Sequence, residues 1–257
     1  MGRSAPAAFA PRIAVASLSG ASDAAWARQA APYAGCAFLG GIALDRPTRD
    51  AARALTARDR EEFLPTDPLA FIDTELSELS ELPITAGFNV RSSSLTPLQN
   101  AAAVCHEHDA IVEINAHCRQ DEMCTAGAGE TLLADLDRLC AYVRGVSETG
   151  ATTSVKMRAE VPGVDLPETA RRASQAGADI LHIDAMDSEP VIEEVAAHSD
   201  AFLIANNGVR DRETAREYFD YGADAVSVGR PSDDPRVLSR VYDATVEWFG
   251  IDRRADA

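Results

Sequence analysis

The chain of 257 residues has very little lysine and few aromatic residues. Of its 24 basic residues only Lys156 is a lysine, so the other 23 are arginines, whereas 41 residues are aspartate or glutamate. The resulting net charge of −17 argues against an exposed nucleic-acid-binding face, because phosphate contacts need clustered basic side chains. Such an acidic composition with almost no lysine is typical of proteins from a high-salt cytoplasm.

The sequence also lacks long apolar runs and paired cysteine motifs. No segment approaches 18 consecutive apolar residues, and residues 1–11 hold no stretch that fits a signal peptide. We therefore expect a cytoplasmic protein that does not span a membrane. Five cysteines without a CxxC pair indicate reduced thiols, and Cys36, Cys105 and Cys140 lie in apolar patterns that predict core positions.

What the sequence does contain is a regular alternation of short apolar runs and amphipathic segments, as parallel strands buried on both faces produce. Eight such units favour the α/β class, as a single TIM (β/α)8 barrel over residues 1–257 with an extra helix after strand 2, rather than a doubly wound open sheet. No room for a second domain is expected after the eighth unit. The predicted strands are 12–17, 36–40, 83–88, 110–115, 152–157, 179–184, 200–205 and 224–228. The predicted helices are 23–33, 48–61, 67–81, 96–107, 129–149, 167–176, 188–197, 211–221 and 234–249.

The single lysine lies inside the fifth predicted strand. A buried ammonium is costly unless it meets an anion or an electron-rich ring. A lysine that snorkels from a strand end is the alternative. Because composition and position agree, we favour a functional role for Lys156 at the mouth of the barrel.

Polar residues and glycines follow most of the predicted strands, at the end of the barrel where active sites lie. Residues 206–208 and 229–230 follow strands 7 and 8, the usual phosphate-binding pair, where backbone N–H groups hold a dianion. Glycines that only turn the chain are the alternative. His117, Cys118 and Cys124 would make an incomplete zinc site, so we predict no metal.

These strand ends resemble the flavin-binding barrel of the tRNA-dihydrouridine synthases over nearly the whole chain. Residues 16–23 resemble the opening APMAGVTD, and 115–118 followed by 129–133 resemble NxGCP and GxxLL at the same spacing. Residues 155–158 resemble VKxR, and residues 204–209 resemble IGNGDI. Residues 222–224 match GAD, and residues 228–230 resemble IGR.

The resemblance implies FMN as cofactor and assigns roles to individual residues. Lys156 would lie near the pyrimidine edge of the flavin and stabilise the anionic reduced ring. Asn115 would hydrogen-bond in the substrate pocket, and Cys118 would be the acid that protonates C5 of a uracil ring while C6 receives hydride. The implied flavin contacts are Ala16, Ser17 and Leu18 on the ring system and Asn206, Asn207, Gly208, Gly229 and Arg230 around the phosphate.

The chain departs from the family pattern in three ways. The motif HGR after strand 6 is replaced by residues 184–186, so a basic pair is missing. His117 and Arg119 replace the glycine and proline around the cysteine. The family's C-terminal helical domain that grips tRNA is expected to be absent. A small pyrimidine-like substrate, or tRNA presented by a partner, is therefore expected, with the reductant unassigned.

Two other hypotheses remain beside a dihydrouridine-synthase-like oxidoreductase. One is a phosphate-binding isomerase or lyase without flavin, in which Lys156 forms a Schiff base or binds an anion. The other is a flavin-binding barrel that has lost or altered its catalysis.

Overall fold

The computed structural model describes residues 9–250, and in them the eight predicted strands close into one parallel barrel in chain order. Each strand pairs with the next along the chain, and the last returns to the first. The predicted TIM-barrel fold is therefore confirmed. The strands are β1 (Ile13–Val15), β2 (Cys36–Ala43), β3 (Thr85–Arg91), β4 (Ile111–Asn115), β5 (Thr152–Arg158), β6 (Ile180–Asp184), β7 (Phe202–Asn206) and β8 (Ala225–Val228).

Helices surround the barrel, and aspartate begins many of them. In seven of the described helices an aspartate carboxylate accepts a hydrogen bond from a backbone N–H of the first turn, so part of the acidic excess serves as helix caps. The helices are α1 (Ala24–Ala30), α2 (Arg46–Thr56), α3 (Pro68–Ser77), α4 (Leu95–Glu107), α5 (Asp121–Thr125), α6 (Thr131–Ala134), α7 (Leu136–Ser147), α8 (Leu166–Gln175), α9 (Val191–His198), α10 (Arg212–Asp220) and α11 (Pro235–Phe249), with a 3-10 helix at Arg230–Asp233.

The predicted extra helix after strand 2 is confirmed as α3. The single helix predicted over 129–149 is wrong, because the chain breaks at Asp135, whose side chain caps α7. The short α5 was not predicted. Strand β3 runs three residues past its predicted end at residue 88, to Arg91, because the polar side chains of its last residues are buried in the structure.

The interior of the barrel divides into an apolar lower half and a polar upper half. A cluster of apolar side chains fills the amino-terminal half of the barrel, and Phe9 packs into the same cluster. A second, larger core lies between the strands and the helices, and it contains Cys105 and Cys140, while Cys36 lies in the lower barrel cluster. The predicted core positions of these three cysteines are confirmed. The upper half opens at the carboxyl ends of the strands.

Within residues 9–250, no helix combines the length and apolar character needed to cross a bilayer.

Candidate active site

A chain of buried polar side chains forms the floor of the upper barrel. Glu113 on β4 accepts hydrogen bonds from Asn89 Nδ2 at 2.7 Å and Ser154 Oγ at 3.2 Å, and these residues occupy matching register positions on β3, β4 and β5. All three side chains are fully buried. A buried carboxylate is tolerated only with such partners, so the floor is a rigid polar layer.

The layer continues through His182 to the far side of the barrel. His182 Nδ1 lies 2.7 Å from Glu113 Oε2, and its Nε2 lies 2.7 Å from Ser227 Oγ on β8. Asn206 Nδ2 on β7 donates to the same Ser227 oxygen at 2.7 Å. Burial lowers the pKa of His182, so its imidazole is neutral, with Nδ1–H donated to the Glu113 carboxylate. The floor thus connects the end of β7 to the end of β4.

Sequence reasoning missed Glu113, His182 and Ser227, whereas Asn89 could be placed at a strand end without a role assigned to it. The signal was present as polar residues two positions apart in otherwise apolar strands, such as Glu113 and Asn115. Because strand side chains alternate between faces, such a pair points to the same side. In a closed barrel that side is the interior.

Lys156 stands above this floor, two residues beyond Ser154 on the same strand and in register with Asn115 and His182. Its side chain is buried, with the residue 3 % exposed. Burial lowers the pKa of Lys156, and the charges of Glu113 and Asp184 oppose that shift. Burial would raise the pKa of Glu113, but His182 and Lys156 hold it below its usual range. The ammonium therefore lies in a buried site where the charges of two carboxylates favour its protonated form.

Asn115 at the end of β4 orders the loop that carries Cys118. Its side-chain oxygen accepts from the backbone N–H groups of His117 at 3.2 Å and Cys118 at 2.9 Å, and its Nδ2 donates to Asn89 at 2.8 Å. These bonds give Asn115 a positioning role in addition to the role expected in the substrate pocket. They connect the loop to the polar floor.

Cys118 is partly exposed, and its side chain packs beside a small apolar cluster built by α2 and α5. Its carbonyl oxygen accepts from Glu130 N at 2.9 Å and faces Cys124 Sγ at 3.6 Å. The loop thus folds back on itself around Cys118, as the spacing of the two motifs requires.

His117 forms a close pair with Asp184, which sequence reasoning did not predict. His117 Nε2 lies 2.6 Å from Asp184 Oδ2, and the other Asp184 oxygen accepts from Met186 N and Asn207 Nδ2, each at 3.1 Å. Burial would raise the pKa of Asp184, but the hydrogen bond from His117 and these further contacts lower it to about 2. The pair ties the loop after β4 to the end of β6 and, through Asn207, to the loop after β7.

The ends of β7 and β8 leave room for an anionic group. Asn207 and Gly208 adopt left-handed backbone conformations with φ of 97° and 67°. A Cβ atom built on Gly208 or on Gly229 would meet nothing within 4 Å. The hydroxyl of Ser232, buried on the 3-10 helix that begins at the exposed Arg230, has no hydrogen-bond partner among the described residues. Open backbone and an unpaired buried hydroxyl suit a phosphate, so these residues fit the end of a flavin mononucleotide.

The loop after β1 forms the part of the mouth beside the end of β8. Ala16 is buried and donates its N–H to Val228 O at 2.9 Å, while Ser17 and Leu18 are partly exposed. The Ser22 hydroxyl accepts from Leu18 N at 2.8 Å and donates to Gly40 O at 2.6 Å, which fixes the turn. This loop, which carries the predicted contacts Ala16, Ser17 and Leu18, is therefore fixed by hydrogen bonds and lies next to the end of β8.

Two ion pairs complete the wall of the mouth. Arg91 at the end of β3 pairs with Glu62 at 2.7 Å, with both side chains 3 % exposed, and also contacts the Ser19 hydroxyl. Arg158 at the end of β5 pairs with Glu130 at 2.7 Å. Both pairs join a strand end to a loop. No group of three or more potential metal ligands occurs in the described part of the chain.

The structure thus places the predicted residues around one mouth. Asn115 ends β4, Cys118 lies on the loop after it, and Lys156 lies inside β5, two residues before the strand ends. Of the residues predicted for the phosphate, Asn207, Gly208, Gly229 and Arg230 follow β7 and β8, whereas Asn206 ends β7 and its side chain joins the floor. The residues that sequence reasoning missed form the floor and the His117–Asp184 pair.

Comparisons with solved structures bear on the fold. The chain is similar to a FabK variant from Thermotoga maritima, with a TM-score of 0.58 and 16% identity, over 91% of this chain and 64% of that one. It is similar to an NCR variant from Zymomonas mobilis, with a TM-score of 0.56 and 16% identity, over 91% and 87% of the two chains. It is also similar to a chain of the tryptophan synthase complex from Pyrococcus furiosus, with a TM-score of 0.55 and 13% identity, over 95% and 99%. At these identities the likeness is one of fold.

Comparisons of sequence identify the family. The uncharacterized protein MJ0144 of Methanocaldococcus jannaschii is 26% identical over 250 residues, which cover 93% of this chain and 92% of that protein. The family model of dihydrouridine synthase matches residues 87–254, which include the polar floor, Cys118, Lys156 and both glycine-bearing strand ends. The chain therefore belongs to the dihydrouridine synthase family and is a flavin-dependent TIM-barrel oxidoreductase.

Proposed function

We propose that the chain is an FMN-dependent oxidoreductase that reduces the C5=C6 double bond of a uracil-like ring. The observation that carries this proposal is the buried Lys156 side chain at the mouth of the barrel, whose ammonium lies near the charges of Glu113 and Asp184. A cation in a buried site favours an anionic or electron-rich partner. The reduced flavin ring is such a partner.

The identity of the flavin as FMN rests on the ends of β7 and β8. Gly208, Gly229 and the unpaired Ser232 hydroxyl offer space and a donor for one terminal phosphate. Arg230 follows directly and is exposed, so its guanidinium can reach an anion there. Bound flavin supplies the electron pair that reduces the double bond.

The chain supplies the proton and the orientation. Cys118 is the acid, because it lies on the loop after β4 that Asn115 holds in place. Transfer of a hydride from reduced flavin to C6 of a uracil ring would leave negative charge at C5 and the adjacent carbonyl, and a thiol nearby can donate to C5 the proton that neutralises it. Lys156 places a basic side chain beside the site.

The experiment is an anaerobic reoxidation assay. Protein loaded with FMN is reduced, then mixed in high salt with uridine, uracil or unmodified tRNA, and the return of oxidised-flavin absorbance is followed. We expect at least one uracil-containing compound to reoxidise the flavin and to gain two hydrogen atoms by mass. If none of these compounds reoxidised the flavin and only dioxygen, admitted afterwards as a control, did so, the proposal would be contradicted. A flavin-binding barrel with altered catalysis would then be favoured.

The proposed substrate is a small pyrimidine-like compound, or tRNA presented by a partner protein. The net charge of −17 repels a polyanion, and Asp184-Ala185-Met186 replaces the basic pair of the family pattern. High salt screens the repulsion but also removes the counterion-release gain on which phosphate binding depends. A titration of unmodified tRNA into the protein across a salt series tests this point. Saturable, tight binding without a partner would contradict it.

A further inference from the structure

The pair formed by His117 and Asp184 combines two departures from the family pattern. His117 stands where the pattern NxGCP has glycine, and Asp184 stands where the pattern HGR begins. The two positions are 67 residues apart in sequence, yet their side chains meet at 2.6 Å at the mouth of the barrel. We therefore treat them as one functional unit.

The hydrogen bonds of Asp184 determine which nitrogen of His117 carries the proton. Asp184 Oδ1 already accepts from Met186 N and Asn207 Nδ2, and Oδ2 faces His117 Nε2. A carboxylate can only accept, so Nε2 donates its N–H to Asp184. Burial and the charges of Lys156 and Arg158 lower the pKa of His117, against the opposing effect of Asp184. The imidazole is therefore neutral, and its Nδ1 is an acceptor.

The acceptor nitrogen of His117 belongs to a partly exposed side chain. No described group forms a hydrogen bond with His117 Nδ1, and 31% of the side chain is exposed. The neighbouring Lys156 and Arg158 are donors only, and Arg158 is already paired with Glu130. His117 Nδ1 thus adds an acceptor beside these cationic donors.

We propose that His117 Nδ1 accepts a hydrogen bond from the imide N–H of the substrate's uracil-like ring, with Asp184 as its positioning residue. The inference rests on the proposed function and names the recognition element of that site. An imide presents one N–H between two carbonyl groups, so it needs one acceptor flanked by donors. His117 supplies the acceptor, and Arg158 at the end of β5 carries donors for a carbonyl group.

The test compares uridine with 3-methyluridine, which lacks the imide N–H. Binding of each to the FMN-loaded protein is measured by calorimetry, and turnover is measured separately. We expect the wild-type protein to bind uridine up to about tenfold more tightly, as one net hydrogen bond allows. His117→Ala should reduce that ratio to near one.

The variant Asp184→Asn changes which nitrogen of His117 carries the proton while the imidazole ring stays in place. The substituted amide would keep its oxygen on the two donors Met186 N and Asn207 Nδ2, so its N–H₂ group would face His117 Nε2. The imidazole would then carry its proton on Nδ1 and could not accept from the substrate. We expect the same loss of discrimination with the ring still present. The exposed His106 at the other end of the barrel provides the matched control, and His106→Ala should leave the ratio unchanged.

The outcomes distinguish this inference from the proposed function. Discrimination in binding without turnover of uridine would contradict the proposed reaction and support the recognition by His117. Turnover with an unchanged binding ratio in His117→Ala would overturn the inference and leave the reaction standing. Failure of both nucleosides to bind the flavin-loaded protein would overturn the inference, and the proposed function would fall only if uracil and tRNA also failed to reoxidise the flavin.

Discussion

Gly129 lies so close to Cys118 that a Cβ atom built on the glycine would come within 2.2 Å of the Cys118 carbonyl oxygen. Gly129 also has a φ of 64°, which residues with a Cβ atom rarely adopt. The loop can therefore fold around Cys118 only with glycine at this position, which explains the fixed spacing between the two motifs.

We expect Gly129→Ala to displace the loop and to lower turnover together with stability. Gly163→Ala is the matched control, because Gly163 has a φ of 78° and nothing within 4 Å of a built Cβ atom. The control should lose only the conformational term, about 1–2 kcal/mol, and keep its turnover. Thermal unfolding and turnover measured on both variants check this. Equal losses in both would show that the close approach is not essential.

Cys118→Ala should leave flavin bound and remove the proton donor. A loss of roughly 10²–10⁴-fold in substrate reduction is expected, with an unchanged flavin spectrum. Cys124→Ala is the control on the same loop, because burial and nearby acidic groups raise the pKa of Cys124 to about 11. It should retain turnover. Wild-type turnover in Cys118→Ala would exclude Cys118 as the acid.

Lys156→Met should slow flavin reduction and make the bound flavin harder to reduce, because the positive charge beside the reduced ring is lost. It should also cost stability, since Glu113 remains buried without its cation. The double variant Lys156→Met/Glu113→Gln should regain part of the stability but not the reduction potential. Potentials and unfolding curves on both variants separate the two effects. A wild-type potential in both would remove Lys156 from the flavin site.

Asp184 should make the free energy of unfolding depend on pH in the acidic range. Its pKa in the folded protein is about 2, below the ordinary value of 3.8. A lowered pKa stabilises the folded state above the unfolded pKa, and this contribution is lost as pH falls from about 4 to about 2. The contribution is on the order of 2 kcal/mol. Asp184→Asn should flatten the unfolding free energy over that window relative to wild type. Parallel pH profiles for the two proteins would contradict the assignment.

The barrel could be predicted from the sequence because parallel strands buried on both faces leave continuous apolar runs. The strand ends were less predictable. Asn89 and Arg91 read as loop residues, yet they continue β3 because their side chains point inward to Glu113 and Glu62. Polarity alone does not distinguish a loop from a barrel interior.

Some residues of the candidate site could likewise be predicted from the sequence, and others could not. Lys156 could be singled out by composition and Cys118 by motif spacing, since both are local signals. The contact between His117 and Asp184 could not, because it depends on the closure of the barrel that brings the loop after β4 to the end of β6. The resemblance alone marked these two positions as departures, and only the fold shows that they meet.

The measurement that tests the proposed flavin chemistry most directly is the absorption spectrum of the protein purified in high salt, with the released cofactor identified by mass. We predict a yellow protein that carries FMN at about one per chain, held through Lys156 and the ends of β7 and β8. A colourless protein whose melting temperature does not change on addition of FMN would contradict that claim.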